Sequence, residues 1–584
     1  MKAFLVFSCT FAAVVSAGAQ AVKIDRCEPA SIRSGASTEV TLSGRDLENA
    51  NLWSSFPAKI ERIEEGKSRF RFTTQHRGAG AIRAHSKNGV SDLFFLNSEE
   101  SRHEAVACEK RTRINEAQKV AVPCMIEGVS LSEGASFYQF SAKGGQSLEI
   151  LASGVRSAFD GVITIRAAKD GKRLAYVDDT EVFGADPWLE FLPPKDGDYV
   201  LELVDSQYRG DLPFQLHVGD TCSHVPQESF HDEAGAAPIS VSLPETVYGR
   251  ILAKGEKDIY RFSVPSGAYL TIAPRAKSIR SPAMPHVKLT NVEGKVLAET
   301  PIDAFDERQL RYRFANEEGC FLTVEDAFSR YGDAYRYSLG LSTSAAPFEL
   351  SIPRQNDKNR PLQDNFLVTP GGRFEIPIQC GRHQFDDAIG LRLESNFEFA
   401  VENAEIPNQQ GSLNLRVRVP DDVSAGMFES FRVIGAAGPF EEPLRTVHHL
   451  MQRNPGASIP DDVDGRLCVR VVESPVTVEI SPPEGAPAES SVKVDVKLVW
   501  LDEKRKFNTT LRIIGTPDGV ETPEKKLKPE DATTVLELKF TKRVGIESMQ
   551  NLRVQINVDY HQRPLLVESK PFAINTTEAD ESKN

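Results

Sequence analysis

The chain is short of several things that would mark a familiar activity. Its 584 residues include eight cysteines and three tryptophans, and acidic residues outnumber basic ones by 83 to 69, for a net charge of -14. No basic face is concentrated anywhere, which argues against a nucleic-acid or anionic-membrane partner. There is no CxxC spacing for a zinc or thiol-redox site. GxSxG and HExxH are also missing, which removes the commonest hydrolase signatures. Helical periodicity is nearly absent. After residue 21 no apolar run is long enough to span a bilayer.

What is present begins with a leader. "MKAFLVFSCTFAAVVSAGAQA" has Lys2, an apolar run from Ala3 to Val15, and small residues at Ala17, Ala19 and Ala21. That layout predicts a secretory signal peptide over 1–21 and an exported product with no transmembrane segment: periplasmic, extracellular or at the cell surface. Removing Cys9 with it leaves Cys27, Cys108, Cys124, Cys222, Cys320, Cys380 and Cys468, an odd number. Cys108 and Cys124, at the entry to the second domain, are the best intramolecular pair. Isolated buried thiols account for most of the rest.

An apolar fraction of 40 % and a charged fraction of 26 % fit a folded chain, and its length implies about four domains. "GRFEIPIQC", "SVKVDVKLVW" and "NLRVQINVDY" alternate apolar and polar residues as half-buried strands do. Gly- and Asp-rich turns separate such runs at short intervals. The expected fold class is therefore all-β, a tandem array of immunoglobulin-like and jelly-roll-like β-sandwiches. An internal repeat sharpens the segmentation. "EGASFYQFSAKGGQSLEI … YVLELVDSQYRGDLPFQLHVGD" and "KGEKDIYRFSVPSGAYLTI … CFLTVEDAFSRYGDAYRYSLGL" run through the same features in the same order. The expected domains are 22–98, 115–221, 238–342, 345–442 and 466–575, with a linker over 443–465 and a tail over 576–584.

On the lines "ASFYQFSAKGGQSLEI", "DGVITIRAAKDGKRLAYVDD", "DPWLEFLPPKDGDYVLELVD" and "FQLHV", residues 118–220 resemble the bacterial pre-peptidase C-terminal (PPC) domain. Residues 240–342 resemble it in degenerate form, with Pro285-His286-Val287 where the first copy has Phe159-Asp160-Gly161-Val162. "PASIRSGASTEVTLSGRDL" is similar to an IPT/TIG immunoglobulin-like domain. Residues 365–436 resemble the immunoglobulin-like modules that follow in exported planctomycete-type proteins. The resemblance implies accessory modules of secreted proteins. Some such modules bind calcium and others bind fibrous or polymeric substrates. No peptidase domain accompanies them here.

Clustered carboxylates are the main candidate site. Asp178, Asp179, Glu181 and Asp186 fall within nine residues, with Asp160 and Asp205 at other strand ends. Calcium takes six to eight hard oxygen ligands, so Asp160, Asp178, Asp179, Asp186 and Asp205 form the expected metal set. The bland alternative is solvated turn acids. The second copy offers Glu299, Asp303, Asp306 and Glu307, less tightly grouped. A carboxylate pair could in principle serve glycoside hydrolysis, but spacing in sequence says nothing of separation in space. His448 and His449 would point to opposite faces of a strand. Trp188 either covers a binding surface or caps its sandwich. The tripeptide Arg209-Gly210-Asp211 reads as a turn. No catalytic residues are assigned.

These features point to a non-catalytic binding or structural protein of the cell envelope, with a protein or polysaccharide partner. The alternatives are a secreted carboxylate hydrolase or carbohydrate-active enzyme, and an accessory subunit of a secreted protease.

Overall fold

The computed structural model describes residues 22–577, except 88, 100–103, 108–111, 155–158, 220–236, 303–306, 308, 344–345, 354–363, 384, 447–462, 483–485, 488–490, 503–505, 541–548, 561–562 and 575. The leader expected over 1–21, residues 578–584, Cys108, Cys222, Asp303, Asp306, His448 and His449 lie outside the described residues. Within them the chain is built from strands, with only short 3-10 turns such as Ile114–Glu116 and Lys277–Ile279. Among the described residues no helix is long and apolar enough to cross a membrane.

Strand formation follows the alternation directly. Val492–Trp500 buries every second residue, and Arg373–Arg382 does the same through Phe374, Ile376, Ile378 and Cys380. A strand with one apolar face needs a partner sheet to cover it, and each module supplies one. The first module packs the four-stranded sheet containing Ser37–Arg45 and Arg69–Thr74 against the sheet containing Gly78–Ser86 and Phe94–Glu99. Its core includes Ile32, Val40, Phe72 and Leu96.

The second and third modules share one strand order. In the second it runs Gln118–Lys119, Ser136–Ala142, Gly197–Asp205, Gly161–Ala167, Arg173–Val177. In the third it runs Ile239–Ser240, Asp258–Val264, Glu318–Asp326, Pro285–Asn291, Val296–Glu299. Even the register break in the last hairpin recurs, between Ile165 and Arg166 in one copy and between Leu289 and Thr290 in the other. Gly249, directly opposite Tyr337, must be glycine, because a Cβ there would meet the Tyr337 hydroxyl at 2.4 Å.

The fourth module begins at Phe348–Ser351 and takes in the strand Leu467–Val471, which pairs with Asn365–Val368 and Phe428–Ala437. Leu467, Val469 and Val471 lie in its core, so this strand completes the fourth module although its sequence lies within the expected fifth. Composition alone gives no hint of that return. The last sandwich starts with Val476–Ser481 and packs around Trp500, Leu538 and Ile556.

The modules are packed together rather than strung apart. Ala30 N donates to Glu127 at 3.1 Å between the first and second. A cluster of Leu151, Val182, Phe183, Trp188, Met284 and Ala334 joins the second to the third. Arg311 of the third donates to the Ala346 and Phe348 carbonyls and to Glu442 of the fourth at 3.0–3.1 Å. Arg83 of the first meets Asp364 of the fourth at 2.6 Å. Arg563 of the fifth reaches both Asp92 and the Asn365 carbonyl. Contacts therefore run from the first module through the second, third and fourth and back to the first.

Candidate functional site

The carboxylates expected to form one metal set separate into three environments. Asp160, at the entrance to strand Gly161–Ala167, joins Asp178 and Asp179, which follow strand Arg173–Val177. One carboxylate oxygen from each lies within 4.8 Å of the others. Asp160 is fixed in place. Its N–H donates to Asp205 at 3.0 Å, its Oδ2 accepts from Ser206 Oγ at 2.6 Å, and its Oδ1 is buried with no hydrogen-bond donor. Burial, then the neighbouring Asp160 and Asp178 charges, raise the Asp179 carboxyl above its ordinary value. Mutual repulsion of this kind is relieved by a bound cation or by protonation.

Asp205 is a structural hub beneath that trio. It is fully buried and accepts from the N–H groups of Asp160, Gln207 and Arg209 and from the Arg209 guanidinium at 2.8 Å. Burial alone would push its pKa up, but these donors outweigh it and hold the carboxyl at about 2. With its oxygens committed, Asp205 positions Asp160. Arg209, the first residue of the RGD tripeptide, is consumed by this ion pair, and Asp211 N closes the turn on the Ser130 carbonyl. Asp186 stands apart as well. It accepts from Ser153 Oγ at 2.9 Å and Gly154 N at 2.8 Å, and burial raises its pKa.

The hub recurs in the second copy, where it gives an exact alignment of the two. Asp326 accepts from Phe328 N, Arg330 N, the Arg330 guanidinium and Met284 N. Met284 thus stands where Asp160 does. Gly161 faces Asp205 and Pro285 faces Asp326, so Pro285-His286 corresponds to Gly161-Val162, a shift of one from the alignment read in sequence. Thr164 faces Tyr176 and Lys288 faces Glu299, which carries Asp178 and Asp179 onto Pro301 and Ile302. The second copy has replaced the whole acidic trio with apolar residues. Of its own acids, Glu299 is half-exposed beside His286 and Lys288. Glu307 accepts from Ala276 N, Ser278 N and Ser278 Oγ.

Sequence reading did not find the cleft between the second and third modules. It has a volume of about 980 Å³, and Glu149, Glu190, Asp198, Arg250, Asp333 and Arg336 are among its lining. Glu149 and Glu190 face each other on adjacent strands. Arg336 of the third module pairs with Glu149 at 3.0 Å, both nearly buried, while Ser147 Oγ donates to Glu190 at 2.8 Å. No local motif encodes this cleft, because its walls come from two repeats. Trp188 lies at the same junction, edge-on to Tyr335 at 6.1 Å, and caps an inter-module contact rather than a free surface. The five described cysteines, Cys27, Cys124, Cys320, Cys380 and Cys468, are all buried, and the partner expected for Cys124 lies outside the described residues.

Fold and site together define an all-β protein built of several packed β-sandwich modules. No protein-family model and no curated protein matches the chain. Among solved structures it is similar to the pre-peptidase C-terminal domain of a collagenase from Bacillus anthracis, at 16 % identity over 19 % of this chain and 99 % of that one, with a TM-score of 0.16. The FN1–FN3 domains of chicken CNTN1 match at 8 % identity over 54 % of this chain and 98 % of that one, TM-score 0.18. The calcium binding domain CBD12 of CALX1.1 matches at 9 % identity over 33 % and 78 %, TM-score 0.12. With TM-scores this low, none of the three likenesses assigns an activity or a ligand to this chain.

Proposed function

We propose that this chain is an exported, non-catalytic binding protein of the cell envelope, with PPC-like second and third modules, and that its partner is a polysaccharide held in the cleft between them. The observation that carries this reading is the cleft's lining. Carboxylates and guanidinium groups converge there from two modules, and the buried Glu149–Arg336 pair locks the walls together. Pairs of neighbouring sugar hydroxyls both donate to carboxylates and accept from guanidinium groups, so a neutral glycan satisfies both kinds of wall. An array of modules in mutual contact also suits repeated weak attachment along a polymer.

The test is calorimetric titration of the full chain with neutral gluco-, xylo- and chito-oligosaccharides. Binding to one of them, weakened about tenfold or more by Glu190→Gln, is expected. Absence of binding across all three would overturn the reading. The facing Glu149 and Glu190 favour one alternative, a carboxylate-based glycoside hydrolase. Release of shorter sugars that ceases in Glu190→Gln would establish that alternative instead.

The acidic trio is a second element of the proposal. Asp160, Asp178 and Asp179 would hold calcium at the end of the second module, with water completing the shell and Asp205 and Asp186 outside it. The unpartnered Asp160 Oδ1 supports this assignment.

A further inference from the structure

The place of the acidic trio in the second copy has become an apolar pocket with a cation in its wall. Met284, Pro301 and Ile302, the counterparts of Asp160, Asp178 and Asp179, line a pocket of about 40 Å³ together with Val182, Lys277 and Glu307, whose carboxylate is held by Ala276 N and Ser278. That volume has room for one short apolar group. The pocket shares Pro301 and Ile302 with a broad groove lined also by His286, Lys288, Glu299 and Phe328. Ile302 and Phe328 are 55 % and 48 % exposed, an unusual cost for large apolar side chains set side by side.

Lys277 is half-buried in the short turn Lys277–Ile279. Among the described residues its ammonium makes no hydrogen bond or ion pair. Its nearest carboxylates are already occupied: Glu307 by Ala276 N, Ser278 and Arg275, and Asp186 by Ser153 and Gly154. Burial lowers the Lys277 pKa, and the Glu307 and Asp186 charges offset that only in part. A half-buried charge of this kind is costly unless something pairs with it.

We infer that this pocket binds the C-terminus of a peptide chain ending in a short apolar residue. The last side chain fills the space between Met284, Pro301 and Ile302. The terminal carboxylate pairs with Lys277. The preceding residues run along the groove over Ile302 and Phe328. The small pocket limits the terminal residue, and the groove requires a ligand longer than the pocket itself. The charge of Lys277 selects a free carboxylate over an amide. This site is separate from the glycan cleft, since the two sets of lining residues do not overlap.

The experiment titrates the full chain with N-acetyl-Ala-Ala-Leu, with its C-terminal amide, and with octanoate. The free acid is expected to bind about tenfold or more tightly than the amide, and Lys277→Met to erase that difference. Lys277→Arg should retain it. Ile302→Asp, at an exposed position that leaves the sandwich core intact, should weaken the acid further. Binding should also raise the Lys277 pKa, followed by NMR of the side-chain methylene. Equal binding of acid and amide, or no effect of Lys277→Met on a folded protein, would overturn the inference. So would absence of acid binding at millimolar concentration. Octanoate binding more tightly than the peptide would overturn the peptide assignment and leave an acyl carboxylate as the ligand.

Discussion

Arg83 and Asp364, 281 residues apart in the chain, form an ion pair at 2.6 Å with 1 % and 0 % of their side chains exposed. Arg83 also donates to the Ser91 carbonyl at 2.9 Å, and the Asp364 carbonyl accepts from Cys468 N. The pair lies where the first and fourth modules meet and closes the circuit of contacts. Losing one partner strands a charge in a dry site, at a cost of about 3–5 kcal/mol. Arg83→Met is therefore expected to release the first module from the fourth. The double change Arg83→Met with Asp364→Leu should recover much of that docking. Hydrogen exchange of the Gly78–Ser86 amides, compared across the three proteins, reads both outcomes.

The same interface is expected to be acid-sensitive through His85. Its ring stacks on Phe428 at 4.2 Å, and its Nδ1 accepts from Arg470 at 3.3 Å. Burial, then the Arg470 charge, lowers its pKa from 6.5 to about 4. Folding favours the neutral ring, so its contribution is complete above pH 6.5 and is lost as the pH falls towards 4. The loss between pH 7 and 5 should be roughly 2 kcal/mol. His85→Phe keeps the stack and should remove this slope from the pH dependence of thermal unfolding.

The third module should respond in the opposite sense. Tyr260 and Tyr337 hydroxyls lie 2.8 Å apart, and Tyr337 donates on to Asp258. Burial, opposed by the Tyr337 hydrogen bond and reinforced by Glu256, raises Asp258 to about 7. The folded state holds a proton that the unfolded chain releases near 3.8. Stability from this group is complete below pH 3.8 and declines as the pH rises to about 7, by roughly 4 kcal/mol at most. Asp258→Asn should flatten that decline. Denaturant midpoints of the third module at pH 5 and pH 7.5 make the comparison, and an unchanged slope would mean that Asp258 is ionised throughout.

The architecture was legible because alternation is a local property, visible in runs such as Val492–Trp500. The repeat was legible because turns and strands recur in order. The site was legible only in part. Asp178 and Asp179 adjoin in sequence and lie together in space, and Asp160 joins them because strand Gly161–Ala167 pairs with Arg173–Val177. Asp205 looked identical as a letter, yet Arg209, four residues on, engages it. Nothing in a string of residues says which acid already has a partner. The inter-module contacts were invisible for a related reason. Arg83 and Asp364 each read as ordinary surface charges until the fold buries both.

Calcium offers the most direct check on the acidic trio. Asp160, Asp178 and Asp179 bring their oxygens within 4.8 Å of one another around a buried, unpartnered Asp160 Oδ1, whereas Met284, Pro301 and Ile302 hold no charge at the matching place. Calcium should therefore raise the melting temperature of the second module and leave the third unchanged, an internal control within one chain. At free calcium a hundred times the dissociation constant, the gain is about 2.7 kcal/mol. Asp178→Asn with Asp179→Asn should abolish the rise. It should also raise stability slightly without calcium, because it removes the repulsion that lifts Asp179. Asp205→Asn should instead destabilise the module with or without the ion, since Asp205 holds the Asp160 backbone and Arg209. A calcium effect that survives the double change would place the ion elsewhere, and no calcium effect on the intact chain would reduce the trio to solvated turn acids.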